Sequence, residues 1–304
     1  MSGAQEPKPR FRAARVQLPG GVVPVWTAGT GPTVLLLHGL SANHSQWLGV
    51  ADRLVSRFHV VLPDLLGRGA SRPEPGVDFS LATEVDRLER LLRAVGVAEG
   101  DPPLLVAGHS HGATLAVALA CGTPVAGLAL VNPVTPWTRR PAALELLRYA
   151  GVRRVVEPVL RACRRPLTRY ILTRRVYADS GPFVESAVAR YADPFADPER
   201  GRALLRVLRD WRPAALDTMR PAGVPTEVLA GGADRRIRPE EAARWAARLG
   251  AGFDVIEGVG HAVTEEAPER VAALIRRLAE TGRTAVRGEV GEAEPNTVEN
   301  RDEE

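Results

Sequence analysis

Four short, nearly continuous apolar runs punctuate the first half of the chain: Thr33–Leu37, His59–Leu62, Leu104–Ala107 and Val125–Val131. Each is bounded by glycine or proline, and helical patterns at about 43–57, 80–96 and 111–121 alternate with them. A strand with one wet face alternates apolar and polar residues, whereas a strand apolar throughout is covered on both faces. The alternation of such strands with helices predicts an α/β chain with a mostly parallel sheet between two helical layers. The rhythm returns late, with a strand at Thr226–Ala230, a helix at 239–249, a strand at Phe253–Glu257 and a helix at 266–280. Near the start, segments 11–18 and 22–28 read as a hairpin across Pro19-Gly20-Gly21.

The middle breaks the pattern. From Val134 to Pro221 there is no strand–turn–helix alternation, only arginine-rich helical stretches interrupted by prolines. This predicts an all-helical insertion over 134–220, splitting a core of 11–133 and 221–282. Such an insertion would lie over the carboxyl ends of the strands, where open α/β sheets bind ligands. Leu144, Leu147, Val152, Val155 and Val159 recur at helical spacing and are expected to form one wall of a pocket beneath a mobile lid. Residues 1–10 read as a flexible arm. The stretch 283–304 is acidic and poor in large apolar residues, so it reads as a disordered tail.

Composition narrows the class. The 304 residues, 45% hydrophobic and 25% charged, fit a globular chain and exclude collagen, coiled coil and wholesale disorder. No apolar run reaches the ~18–20 residues of a membrane-spanning helix, and the N-terminus has no apolar signal region. Two cysteines, Cys121 and Cys163, make no disulfide framework and fit a reduced, cytoplasmic setting as small buried hydrophobes. The formal net charge is +4, and Lys8 is the only lysine among 40 cationic residues. That skew reads as compositional bias. The arginines are interspersed with carboxylates and no nucleic-acid module is recognisable, so nucleic acid is not an expected partner. Between Val134 and Pro221, however, 18 arginines face 9 carboxylates. Three readings compete for them: a solvated outer face, steering of an anionic or carrier-bound substrate, and contact with a membrane surface.

The chemistry concentrates at Gly108-His109-Ser110-His111-Gly112, between the run Leu104–Ala107 and the helix former Ala113–Ala120. A serine on a very sharp strand-to-helix turn needs small neighbours, and Gly108 and Gly112 supply them. The turn lifts the hydroxyl above the sheet, and the N–H of His111 lies at a helix N-terminus, where it can face a developing oxyanion. His38-Gly39-Leu40 ends another strand, which makes the N–H of Leu40 the second candidate donor.

A serine nucleophile needs a base and an acid. Of the six histidines, His261 sits in Gly258-Val259-Gly260-His261, after the last strand and at the same sheet edge as Ser110. His109 and His111 flank the nucleophile but should point away from it. His38 reads as a structural hydrogen-bonding residue, and His44 and His59 as bland. Asp234 follows the strand Thr226–Ala230; Glu257 is the nearest rival acid, and Asp64 reads as a loop anchor. The chain order Ser110, Asp234, His261 is the order this triad takes on an α/β-hydrolase sheet.

The segments HGLSANHSQW, DLLGRGASRP, GHSHGA, GGADRRIRP and GVGHAVTEEAPERVAALI resemble, in order, the landmarks of the α/β-hydrolase superfamily. The resemblance covers about 15–134 and 220–280. It lies closest to the capped serine-hydrolase branch of esterases, meta-cleavage-product hydrolases and cofactor-free haloperoxidases. It implies the α/β-hydrolase fold with a helical cap, catalytic Ser110, Asp234 and His261, and no metal or organic cofactor. The implied reaction is hydrolysis of a small-molecule carboxylic ester, thioester or lactone. C–C bond hydrolysis or acyl transfer with the same triad, and a non-catalytic binding role, are the alternatives. Serine at 110 disfavours the branches that use an aspartate nucleophile. Lysine only at position 8 disfavours the hydroxynitrile lyases.

Overall fold

The computed structural model describes residues 11–97, 104–179, 181 and 183–290. The predicted hairpin is present: β1 (Arg12–Leu18) and β2 (Gly21–Ala28) pair antiparallel around Pro19 and Gly20. There follow β3 (Thr33–Leu37), α1 (Leu48–Ala51), β4 (His59–Pro63), β5 (Arg72–Pro73), α2 (Leu81–Ala94), β6 (Leu105–His109), α3 (His111–Ala120) and β7 (Gly127–Val131). The insertion contributes α4 (Ala150–Ala162), α5 (Arg164–Ile171), α6 (Phe183–Ala192) and α7 (Pro198–Asp210), with no strand among its described residues. The chain then returns through β8 (Thr226–Gly231), α8 (Pro239–Leu249), β9 (Gly252–Ile256), α9 (Val263–Glu266) and α10 (Pro268–Val290).

One sheet takes the order β1-β2-β4-β3-β6-β7-β8-β9, with β5 paired to β2. From β4 through β9 all pairs are parallel. The uniformly apolar strands are explained by their two covered faces. Leu35 and Leu37 pack in the layer with Leu88 and Leu91 of α2, Leu115 of α3 and Trp245 of α8. Val34 and Leu36 point the other way, toward Val50 of α1 and Leu274 and Leu278 of α10. The insertion does not disturb the sheet, because β7 and β8, which flank it, are parallel neighbours.

Three local readings change. The predicted helix at 43–57 is a 3-10 turn, His44–Trp47, followed by the single turn α1, because the Asn43 side chain accepts the Ser45 N–H and starts the segment as a tight turn. The last helix passes the expected boundary at 283 and is described as far as Val290. Residues 291–304 of the expected tail, and the arm at 1–10, lie outside the described residues. Cys121 and Cys163 are exposed, the first at the C-terminal end of α3 and the second on the solvent side of the junction between α4 and α5.

A buried ion pair fixes the loop after β4. Arg68, fully buried, donates to Glu84 Oε1 of α2 at 2.6 Å, to the Leu66 carbonyl at 2.8 Å and to His111 Nε2 of α3 at 3.1 Å. Burial pushes the Glu84 carboxyl up, but Arg68 and His111 outweigh it and hold it down to about 2. Removing one partner of such a pair strands the other charge in the interior. Glu84→Gln is therefore expected to destabilise the fold by about 3–5 kcal/mol. Urea unfolding checks this; a loss below about 1 kcal/mol, the worth of an exposed pair, would contradict it.

Candidate active site

Ser110 stands between β6 and α3 with φ 52° and ψ −115°, a conformation that L-residues rarely adopt. Its neighbours show why the motif needs glycine. A Cβ on Gly108 would lie 2.4 Å from the Gly112 carbonyl oxygen, and one on Gly112 would lie 2.2 Å from the Leu37 carbonyl oxygen. Only hydrogen at both positions lets the strand, the turn and the start of α3 pass this close. The Ser110 N–H donates to Val131 O at 3.0 Å, which fastens the turn to the end of β7.

The three residues singled out at the sheet edge meet here. The Ser110 hydroxyl faces His261 Nε2 at 3.1 Å, and His261 Nδ1 faces Asp234 Oδ2 at 2.7 Å. His261 and Asp234 are buried, while Ser110 is half-buried. The hydroxyl donating to Nε2 and Nδ1–H donating to the carboxylate define one tautomer that satisfies both contacts. Asp234 Oδ1 accepts the N–H groups of Arg236 and Ile237 at 2.7 and 3.1 Å. Burial pushes the Asp234 carboxyl up, but His261 and these amides outweigh it and keep it below the usual carboxylate range. The rival acid, Glu257, is exposed beyond the end of β9.

Three supporting residues were not assigned by the sequence reading. Asn132, buried just past β7 with φ 41°, donates to Asp234 Oδ2 at 2.5 Å and to the Gly260 carbonyl at 3.2 Å. Its own Oδ1 accepts the Gly231 N–H at 3.0 Å, so one amide ties the acid to the loop before His261. Its only signal in the sequence is an asparagine, tolerant of positive φ, at a strand's carboxyl end. Gln46 Oε1 accepts the Gly39 N–H at 3.0 Å and fixes the turn that carries Leu40. Val176, in the insertion, accepts the His261 backbone N–H at 2.6 Å.

The remaining histidines have structural partners. His109 Nε2–H donates to the His261 carbonyl at 2.7 Å, and the two rings lie 4.8 Å apart. Burial, with His261 nearby, pushes the His109 imidazole down to about 3. His111 points at Arg68, away from Ser110, while its backbone N–H opens α3 beside the serine. His44 stacks on Trp26 and pairs with Asp64 at 2.8 Å. Asp64 also accepts the Ala70 N–H at 2.7 Å, the loop-anchoring role expected of it. His59 Nδ1 lies 3.3 Å from the Thr33 hydroxyl.

His38 is held neutral by its contacts. Nδ1–H donates to the Gly39 carbonyl at 2.8 Å, and Nε2 accepts the Leu65 N–H at 3.0 Å. Protonating Nε2 would break the second bond, and burial pushes the group down to about 4. Between pH 6.5 and 4 the unfolded chain therefore takes up a proton that the folded chain refuses, so stability falls as pH drops through that window. Wild type is expected to lose on the order of 3 kcal/mol more than His38→Gln over the window. Urea unfolding at stepped pH measures it; superimposable profiles would show that another group is responsible.

Comparison with known proteins adds the following. A model described as the alpha/beta hydrolase family matches residues 34–274. An uncharacterized protein of Mycobacterium tuberculosis is 27% identical over 281 residues, covering 84% of this chain and 77% of its own. The magnesium-chelatase 30 kDa subunit of Rhodobacter capsulatus is 29% identical over 284 residues, covering 87% and 94%. Among solved structures, a thermophilic esterase from Thermogutta terrifontis superposes with a TM-score of 0.75 at 27% identity, covering 89% of this chain and 99% of that one.

Proposed function

Because the chain belongs to the alpha/beta hydrolase family, we propose that it is a serine hydrolase cleaving a carboxylic ester, thioester or lactone of a small molecule. The observation that carries this reading is the hydrogen-bonded series from Ser110 through His261 to Asp234, mounted on a strained serine turn. The likeness to an esterase supports the substrate class.

In this reading Ser110 Oγ attacks the acyl carbon while His261 Nε2 takes its proton. Asp234, held ionised, stabilises the imidazolium and keeps Nδ1 protonated. The negative charge that develops on the carbonyl oxygen is met by the backbone N–H groups of His111 and Leu40. His261 then returns its proton to the departing alcohol, thiol or lactone hydroxyl. A water that gives a proton to the same nitrogen attacks the acyl-enzyme and releases the acid and free Ser110. None of these steps draws on a metal or an organic cofactor.

The insertion at 134–220 serves as a cap in this reading. Of the wall expected for it, Leu147 is buried and Leu144 and Val152 are half-buried, while Val155 and Val159, 66% and 56% exposed, face away from the molecule. The side chains that pack toward the site are Leu172, Tyr177, Val188 and Tyr191, clustered with Ala42 next to the Leu40 turn and with Ala262 next to His261.

Ser110→Ala is expected to abolish covalent labelling by a fluorophosphonate and to lower kcat by a factor on the order of 10⁶. Asp234→Asn should lower it by about 10⁴, because asparagine favours the wrong imidazole tautomer. An ester panel assayed with both variants checks this. Near-native turnover in Ser110→Ala would overturn the reading, and a small effect of Asp234→Asn would move the acid elsewhere.

A further inference from the structure

Large apolar side chains on the described surface are unevenly placed. Of seven that are exposed, six fall between Leu146 and Tyr170: Leu146, Tyr149, Val155, Val159, Leu167 and Tyr170. Four of them, Val155, Val159, Leu167 and Tyr170, lie along one helical run. The helical hydrogen bonding of α4 continues through Cys163 into α5, with Cys163 N–H on Val159 O and Leu167 N–H on Cys163 O, both at 2.9 Å. Across that continuous helix, Val155, Val159, Cys163, Leu167 and Tyr170 recur every three or four residues and make one outward stripe. On the inward side Glu157 is buried against α7 at Gly201, with Arg161 on its carboxylate at 3.2 Å, beside the half-buried Val152, Val156 and Leu160. Part of the apolar side of the helix is thus left facing outside.

The charge carried by this segment is predominantly positive. Residues 148–175 hold nine arginines and one carboxylate, the buried Glu157. Arg165 and Arg169 pair with Asp193 and Glu185 at 2.7 and 2.8 Å. Arg154 and Arg174 are exposed and have no carboxylate partner among the described residues, while Arg175 lies close enough to Arg236 to act on its charge.

We propose that this face, α4–α5 with its flanking arginines, docks on an anionic lipid membrane surface. A hydrocarbon stripe bordered by cations and tyrosines matches the boundary between acyl chains and anionic headgroups. A second copy of the chain is a poor occupant. A two-fold contact through this face would set unpaired arginines against unpaired arginines. No helix among the described residues is long and apolar enough to cross a membrane, so the attachment is peripheral. The docking face belongs to the same insertion whose Val176 carbonyl accepts the His261 backbone N–H. The docking does not depend on the serine-hydrolase reading, and it is tested by binding alone.

The test is sedimentation of the full chain with phosphatidylcholine vesicles, with and without about 30% phosphatidylglycerol, at low and high salt. Wild type should sediment with the anionic vesicles, weakly with the neutral ones, and less as salt rises. Substituting Arg154 and Arg174 together by glutamine should weaken binding by roughly thirtyfold. Val155→Glu with Val159→Glu should weaken it by roughly tenfold or more, since these side chains would leave the acyl boundary. All four positions are exposed, and unchanged melting would show that the variants fold. Ester turnover or fluorophosphonate labelling, measured alongside without vesicles, reports separately on Ser110. Equal binding to neutral and anionic vesicles, or full binding by the valine double variant, would overturn the proposal.

Discussion

The backbone of Ser110 is the constraint on which the site depends. Its positive φ costs free energy on its own and persists only where the surroundings leave no alternative. Here they consist of the Val131 carbonyl that holds the serine N–H, the Leu37 carbonyl against Gly112, and the close passage of Gly108 beneath α3. β3, β6 and β7 therefore all contribute to one dihedral angle. The parallel sheet supplies that convergence, because its carboxyl ends finish side by side. A hydroxyl held this way projects to a place where the loops after β8 and β9 can bring a carboxylate and an imidazole.

How much of this was legible in the sequence follows from which interactions are local. The strands could be read because a two-sided burial requirement writes itself as an unbroken apolar run. Ser110, Asp234 and His261 could be read because each follows such a run, and the sheet aligns the ends. Asn132, Gln46 and Val176 act through contacts between segments far apart in sequence, and nothing in their own neighbourhoods marks them. Periodicity gives a stripe and not the direction in which each part of it faces: Leu147 is buried and Leu144 and Val152 half-buried, whereas Val155 and Val159 look into solvent. The burial of Glu157 against α7, a contact between distant segments, bears on that direction. The two cysteines failed for a related reason: composition says that cysteine is usually buried, while a place on the solvent side overrides the average.

The arginine bias of the chain also has two physically different outcomes. Arg68 sits in the interior, where its planar fork satisfies Glu84, a carbonyl and His111 at once, and a lysine could not reproduce that set of contacts. On the insertion the same residue type lies in solvent, in several cases without a partner, and there its effect is a field rather than a bond. A single count of positive residues hides the difference.

The bond from the His261 backbone to Val176 makes the insertion and the imidazole mechanically continuous. Gly260 is pressed into the same joint, since a Cβ there would come within 2.4 Å of the Val176 carbonyl oxygen. A rigid swing of the whole insertion would pull on the loop that sets the imidazole against Ser110. Movement that leaves the imidazole in place must pivot on the near side of Val176, with the segment from Val176 to Ala178 acting as a fixed post. Displacement of the rest of the insertion and registry of the imidazole are then separable within a single inserted segment.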